Sequence, residues 1–228
     1  MLRKSFIIFQ IILVLSITFT VCSCSKEEEE KEKTPHYVAG LYQNQLKIDQ
    51  VLNIPDEVSF DKIKVKLTGK CWSSIDEVET TFHNGEAILT FPTSFAAEQL
   101  QVVDRKEDDF CGFWPATSDN PSARVSALKD IIAYQGEKKV GRLYLSNQAT
   151  DLVAAKKIFI HYQYTNEPFV LKGQNKSYHY KDCSFHKGWN AYATINTFLA
   201  NGEAGQALCT TIIPADYTLR WFFESWVY

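Results

Sequence analysis

Val78-Glu79-Thr80-Thr81-Phe82-His83-Asn84-Gly85-Glu86-Ala87-Ile88-Leu89-Thr90-Phe91 sets two runs of alternating apolar and polar residues around an Asn-Gly pair. Successive side chains of a strand point to opposite faces, so alternation marks a strand with one buried side. Both central positions of a tight hairpin turn need positive φ, which Asn and Gly tolerate, and the stretch therefore predicts strand, turn, strand. Just upstream, Ile63, Val65 and Leu67 alternate with Lys62, Lys64 and Lys66, which predicts a further strand with one wet face.

The same period continues downstream. Val125–Tyr134 and Val140–Leu145 flank a turn at Gln135-Gly136-Glu137-Lys138, and Lys157–Tyr164 places Ile158, Ile160, Tyr162 and Tyr164 on one face. Phe169–Leu171, Gly188–Leu199, Gln206–Ile213 and Tyr217–Ser225 follow, punctuated by Asn201-Gly202 and Pro214-Ala215-Asp216, and predict a meander of short antiparallel strands. Only Ser94–Val103 is compatible with a helix. The expected fold class is all-β. A change of character near Asp151 divides the folded part into two antiparallel β-sandwich domains, residues 36–151 and 152–228.

Residues 1–23 form a different kind of segment. Arg3 and Lys4 precede an apolar run, Phe6 to Val21, that ends at Cys22-Ser23-Cys24, the layout of an export signal. Val21-Cys22-Ser23-Cys24 resembles the lipobox of bacterial lipoproteins, which implies cleavage before Cys24 and a lipid on that residue. The alternative is an uncleaved anchor, for which the run of about 16 residues falls short of the roughly 20 that a spanning helix needs. Residues 24–35 hold the Lys/Glu tract Lys26–Lys33, a self-repelling tether without apolar residues. That tract is similar to the acidic stretch after the lipidated cysteine of surface-exposed Bacteroidetes lipoproteins. The resemblance implies a lipid-anchored protein on the outer face of the outer membrane.

The 228 residues carry 24 Lys+Arg against 27 Asp+Glu; loss of Arg3 and Lys4 with the signal leaves 22 against 27, a formal charge of −5. No basic stripe is present, so no nucleic-acid partner is expected. Cys71, Cys111, Cys183 and Cys209 are an even set in an exported chain and admit three pairings. Pairing Cys71 with Cys111 and Cys183 with Cys209 closes one loop in each expected domain; four reduced, buried thiols are the alternative. No Cys-x-x-Cys pair exists and the histidines lack ligand spacing, so neither metal nor cofactor is expected.

Catalytic signatures are absent as well. The chain has no Gly-x-Ser-x-Gly elbow, no phosphate-cradling Gly-x-x-x-x-Gly-Lys and no His-Glu-x-x-His. Asp76-Glu77 and Asp108-Asp109 are adjacent carboxylates that diverge on a strand or loop, unlike the facing pair of a glycosidase. Asp104, Glu107, Asp108 and Asp109 lack the spacing and the turn glycine of a calcium loop. His161, His179 and His186 read as strand histidines. No catalytic residue is assigned, and a hydrolase ranks last.

Aromatic residues crowd the C-terminal end. Tyr217, Leu219, Trp221 and Phe223 share a face and read as core, as does Trp189. Trp226, Phe222, Tyr192 and Tyr228 remain as candidate ligand-binding aromatics. Phe82–Pro92 resembles the strand–Asn-Gly–strand–Pro element of transthyretin-like domains. Lys187-Gly188-Trp189-Asn190 and Tyr217-Thr218-Leu219-Arg220-Trp221-Phe222-Phe223 are similar to the C-terminal part of Bacteroidetes lipoproteins built from such sandwiches. That family has no established activity, so the resemblance implies fold and location only. The expected role is non-catalytic binding of glycans or proteins at the cell envelope, with a structural or accessory subunit of an outer-membrane assembly as the alternative.

Overall fold

The computed structural model describes residues 37–103, 117–149, 156–175, 178–198 and 204–226. The first half of the chain supplies β1 (Leu41–Tyr42), β2 (Gln45–Asp49), β3 (Lys62–Thr68), β4 (Ser74–Thr81), β5 (Glu86–Thr90), β6 (Gln101–Val102) and β7 (Thr117–Ser118). The second half supplies β8 (Arg124–Gln135), β9 (Lys138–Ser146), β10 (Lys156–Thr165), β11 (Phe169–Asn175), β12 (Tyr178–Phe185), β13 (Gly188–Phe198), β14 (Ala204–Thr210) and β15 (Arg220–Ser225). The fold is all-β. Among the described residues the only helical element is a three-residue 3₁₀ turn, Lys70–Trp72, and Ser94–Val103 forms turns and β6 in place of a helix.

Two sheets result. β1, β2 and β5 make a small antiparallel sheet, while the large one runs β4-β3-β8-β9-β10-β13-β14-β12-β11-β7, with β15 added to β9 and β6 to β8. Alternation dictates how they meet. Leu46 and Ile48 of β2 and Ala87 and Leu89 of β5 turn inward, as do Ile63, Val65 and Leu67 of β3, all within 4 % of full burial. They join Ile158, Ile160, Tyr162 and Tyr164 of β10 in one core. The Tyr162 hydroxyl, buried with them, donates to the Ala39 carbonyl at 2.7 Å and so ties β10 to the chain before β1.

Asn84 and Gly85 take φ of 53° and 83°, the positive values that the tight turn requires. His83 and Glu86 exchange backbone hydrogen bonds of 2.9 and 3.1 Å across it. The strands on either side then part company. β4 pairs with β3 in the large sheet and β5 with β2 in the small one. The turn is therefore a corner between layers and not the tip of a hairpin ladder. Each strand finds its ladder on the side away from the other, and the inward residues of each cover the shared core.

No break appears at the expected division of 36–151 from 152–228. His36–Tyr228 gather into one compact unit. β10 pairs with β8 through Gln163↔Ala127, Tyr164↔Ser126 and Thr165↔Val125, and β15 pairs with β9 from Arg220↔Ser146 to Ser225↔Gly141. Strands from after residue 151 thus complete the sheet begun before it. The expected terminal meander is also altered. β13 and β14 are antiparallel, but β14 then pairs in parallel with β12, Tyr180↔Cys209, so that it lies between two strands adjacent in sequence. Asn190 sets that corner: its side chain accepts from the His186 amide at 3.0 Å and donates to the His186 and Gly188 carbonyls at 2.8 and 2.9 Å.

Candidate functional site

β10 is covered on both faces. Its even-numbered residues enter the main core, and its odd-numbered residues Phe159, His161 and Gln163 face a second space. The order β10-β13-β14-β12-β11 brings the sheet back over that face. Phe169 and Leu171 of β11 and Cys183 and Phe185 of β12 thereby share a second core with Val125 of β8 and Cys209 of β14. This core is not filled. A cavity of about 290 Å³ remains in it, completed by Tyr192, Thr194 and Asn196 of β13 and by Tyr178 and Tyr180 of β12. His161 and Tyr178 are the exposed members of the lining, so the cavity reaches solvent there.

Its rings form a connected set. Phe169 stacks on Phe185 at 4.7 Å, Phe185 meets the edge of Tyr192 at 5.8 Å, and Tyr192 stacks on His161 at 5.1 Å between centroids. Its polar groups are neutral. None of the lining residues is Asp, Glu, Lys or Arg. Enclosure by protein lowers the His161 imidazole to about 4, which leaves it uncharged at neutral pH even though it can be reached by water. Burial likewise pushes the phenols of Tyr180 and Tyr192 up. Three other concavities, of about 460, 320 and 610 Å³, differ in kind because each carries charged residues: Lys47 and Asp49, Asp130 and Arg142, and Lys181 and Asp216 respectively.

Several polar groups of the lining have no partner among the described residues. Gln163 is 3 % exposed, yet its amide makes no hydrogen bond among the described residues, and the Tyr180 and Tyr192 hydroxyls make none. None of these groups is fully closed off from solvent, since among the described residues the fully buried side-chain atoms without a partner are Ser126 Oγ and His179 Nε2, and they are therefore open to water or a ligand. Thr194 Oγ1 has only the Cys209 sulfur, at 3.9 Å.

The expected Cys183–Cys209 disulfide is not formed. Both are free, buried thiols at the cavity wall, and the Cys183 thiol donates to the Cys209 carbonyl oxygen at 2.9 Å. In that arrangement the Cys183 sulfur is engaged by a backbone acceptor. Burial, reinforced by Cys209, pushes the Cys183 thiol up to about 12, and burial raises Cys209 as well. At pH 8 this lowers the Cys183 thiolate fraction about a thousandfold against an ordinary thiol. Native protein exposed briefly to iodoacetamide at pH 8 is accordingly expected to yield unlabelled Cys183 and Cys209 peptides, and urea-denatured protein labelled ones. Labelling of the native Cys183 peptide as fast as the denatured one, read by mass spectrometry, would show an accessible thiolate. Cys71 is disulfide-bonded, and its expected partner Cys111 lies outside the described residues.

The three candidate aromatics among the described residues do not gather at one surface. Tyr192 lines the cavity. Phe222 is 7 % exposed and stacks on Tyr144 at 5.7 Å, so it belongs to the packing of β15 on β9. Trp226 is half-buried beneath the Lys139 ammonium, 5.9 Å from its ring centre. Tyr228 and the lipidation candidate Cys24 lie outside the described residues. The residues that sequence reasoning missed are Phe159, His161, Gln163, Thr194 and Asn196. One signal for the first three was present: a strand covered on both faces reads as a nearly continuous apolar run, and Ile158-Phe159-Ile160 interrupts the alternation in that way.

Fold and site together define an all-β protein with an uncharged, partly open cavity inside its rolled sheet. No family model matches the chain, and neither a curated protein nor a solved structure matches it.

Proposed function

We propose that this is a lipid-anchored protein of the bacterial outer membrane, displayed at the cell surface, that acts by binding and not by catalysis. Its ligand occupies the cavity between β10, β13 and β12. The observation that carries this reading is the cavity itself, whose polar groups, Gln163 above all, face its space without partners among the described residues. The signal and acidic tether of residues 1–35 support the location. An enclosed site favours a small molecule, or one unit of a glycan, over a broad protein surface.

The alternative, a structural subunit of an outer-membrane assembly, has one observation in its favour. Among the described residues β4 is an edge of the large sheet, paired only with β3, and offers eight residues to a partner strand. That edge carries Asp76, Glu77 and Glu79, the kind of charged dressing with which sheets discourage edge pairing.

The test uses the full-length protein in detergent, screened against a glycan array and a panel of small molecules, beside Asn196→Trp, which fills the cavity from a half-buried lining position. Binding is expected for the parent, a loss of at least tenfold for Asn196→Trp, and no change for Phe222→Ala. Binding that survives Asn196→Trp and fails in Phe222→Ala would move the site to the β15 surface. In the same cells, Cys24→Ser is expected to release the protein from the membrane fraction, and retention there would remove the lipid anchor.

A further inference from the structure

The assignment of the cavity as a binding site leaves the chemistry of its occupant open, and the lining narrows it. Building on that reading, we propose that the cavity takes an uncharged, ring-bearing molecule that presents both hydrogen-bond donors and acceptors. The first reason is the absence of any compensating charge. An ion entering this cavity exchanges its hydration for a wall of phenols, amides, thiols and hydrocarbon, with no Asp, Glu, Lys or Arg to pair with it. The wall does not acquire a charge near neutral pH either, because His161 stays neutral down to about 4 and Cys183 up to about 12.

Shape supplies the second reason. Phe169, Phe185, Tyr192 and His161 already meet in alternating stacked and edge contacts. A flat ring extends that pattern without leaving a void, whereas a flexible chain must lose its own rotational freedom on entry. The cavity of about 290 Å³ holds roughly ten water volumes and lies at the lower end of small-molecule sites.

The third reason is the hydrogen-bonding inventory. The Gln163 amide is both donor and acceptor, 3 % exposed, and unengaged among the described residues. The Tyr180 and Tyr192 hydroxyls add two more bifunctional groups, and the neutral imidazole adds one donor and one acceptor. This set matches a ring with a few polar substituents. It does not match the dense hydroxyls of a whole sugar, most of which would meet Phe159, Leu171 or Cys209 and lose hydration without return.

Isosteric probes test the class. Saturation-transfer NMR on the full-length protein in detergent, with empty micelles as the control, compares benzamide, benzoate, benzylamine and methyl glucoside at millimolar concentration. Benzamide is expected to bind about a hundredfold more tightly than either charged probe. Gln163→Leu, which keeps the size of the side chain and removes its amide, is expected to weaken benzamide about tenfold. Its near-ultraviolet circular dichroism checks that it has folded, and Asn196→Trp provides a second, independent block.

Benzoate or benzylamine equal to benzamide, or methyl glucoside bound in its place, overturns the chemical class while the cavity remains the site. Silence of all four probes also overturns the class. Benzamide binding that is unaffected by both Gln163→Leu and Asn196→Trp overturns the cavity reading itself.

Discussion

Trp189→Ala is expected to lower the stability of the folded protein by about 4 kcal/mol, within the range for removal of a buried indole. Trp189 is 5 % exposed on β13 of the large sheet, but its ring lies among residues from both layers. Phe91, just beyond the end of β5, is 4.5 Å away between ring centroids, Tyr164 of β10 is 5.9 Å away, and Phe95 is 6.3 Å away. The indole N–H also donates to the Pro92 carbonyl at 2.8 Å, so truncation leaves that acceptor unpaired as well as opening a void. Trp189→Phe retains most of the apolar volume and lacks the donor, and is expected to recover about half of the loss. Urea titration followed by circular dichroism provides the measurement. A midpoint for Trp189→Ala close to that of the parent would show that the two layers close without this anchor.

Gly69→Ala is expected to cost about 3 kcal/mol, at the upper end for overpacking. A methyl carbon placed there lies 1.9 Å from the Gln99 carbonyl oxygen and 3.0 Å from Ile75 Cγ2. The obstacle cannot swing aside, because it is backbone and already accepts a hydrogen bond of 2.8 Å from the Lys70 amide. Space is the constraint at issue, at a residue whose φ and ψ are −122° and −132°. Gly85 offers the opposite case: nothing lies within 4 Å of the added carbon, but φ is +83°. Gly85→Ala is therefore expected to cost only about 1 kcal/mol. If the two variants melted alike, the close approach at Gly69 would have no energetic weight.

Short-range chemistry was well written in the chain. Asn84-Gly85 specified its turn, Gln135–Lys138 became the tight connection between β8 and β9, and the alternation of Ile63, Val65 and Leu67 gave the buried face of β3. Partnership was not written there. The same Asn-Gly signal serves a hairpin and a corner between sheets, and nothing local says that β5 will find β2. The faces of β12 went unread because Tyr178–Phe185 mixes tyrosine, lysine, aspartate and cysteine in no clean period, and they are set by β11, its antiparallel neighbour, and by β14, a parallel neighbour distant in sequence.

The site was hidden for the same reason. The even-numbered face of β10 declared itself through isoleucines and tyrosines. Phe159, His161 and Gln163 acquire meaning only when the sheet turns back and encloses them. Among the described residues Tyr192 was the one candidate aromatic that the fold brought to the cavity, whereas Phe222 was drawn into packing because β15 is covered on both sides. Cys183 and Cys209 do come together in the second core, as their number suggested, but a thiol-to-carbonyl contact holds them where a covalent bond had been expected.

β15 has a second partner besides β9. Leu52 forms a parallel bridge with Phe222; its amide donates to Trp221 and its carbonyl accepts from Phe223, both at 2.9 Å. A folding chain must bring Leu52 together with partners that lie far along the sequence. Until they arrive, the edge of β9 and the segment around Leu52 have nothing to close on, and many of the contacts that define the sheet are remote in sequence, the condition for slow folding. β15 thus acts as a clasp: the large sheet is locked only when this strand has joined β9 on one side and Leu52 on the other.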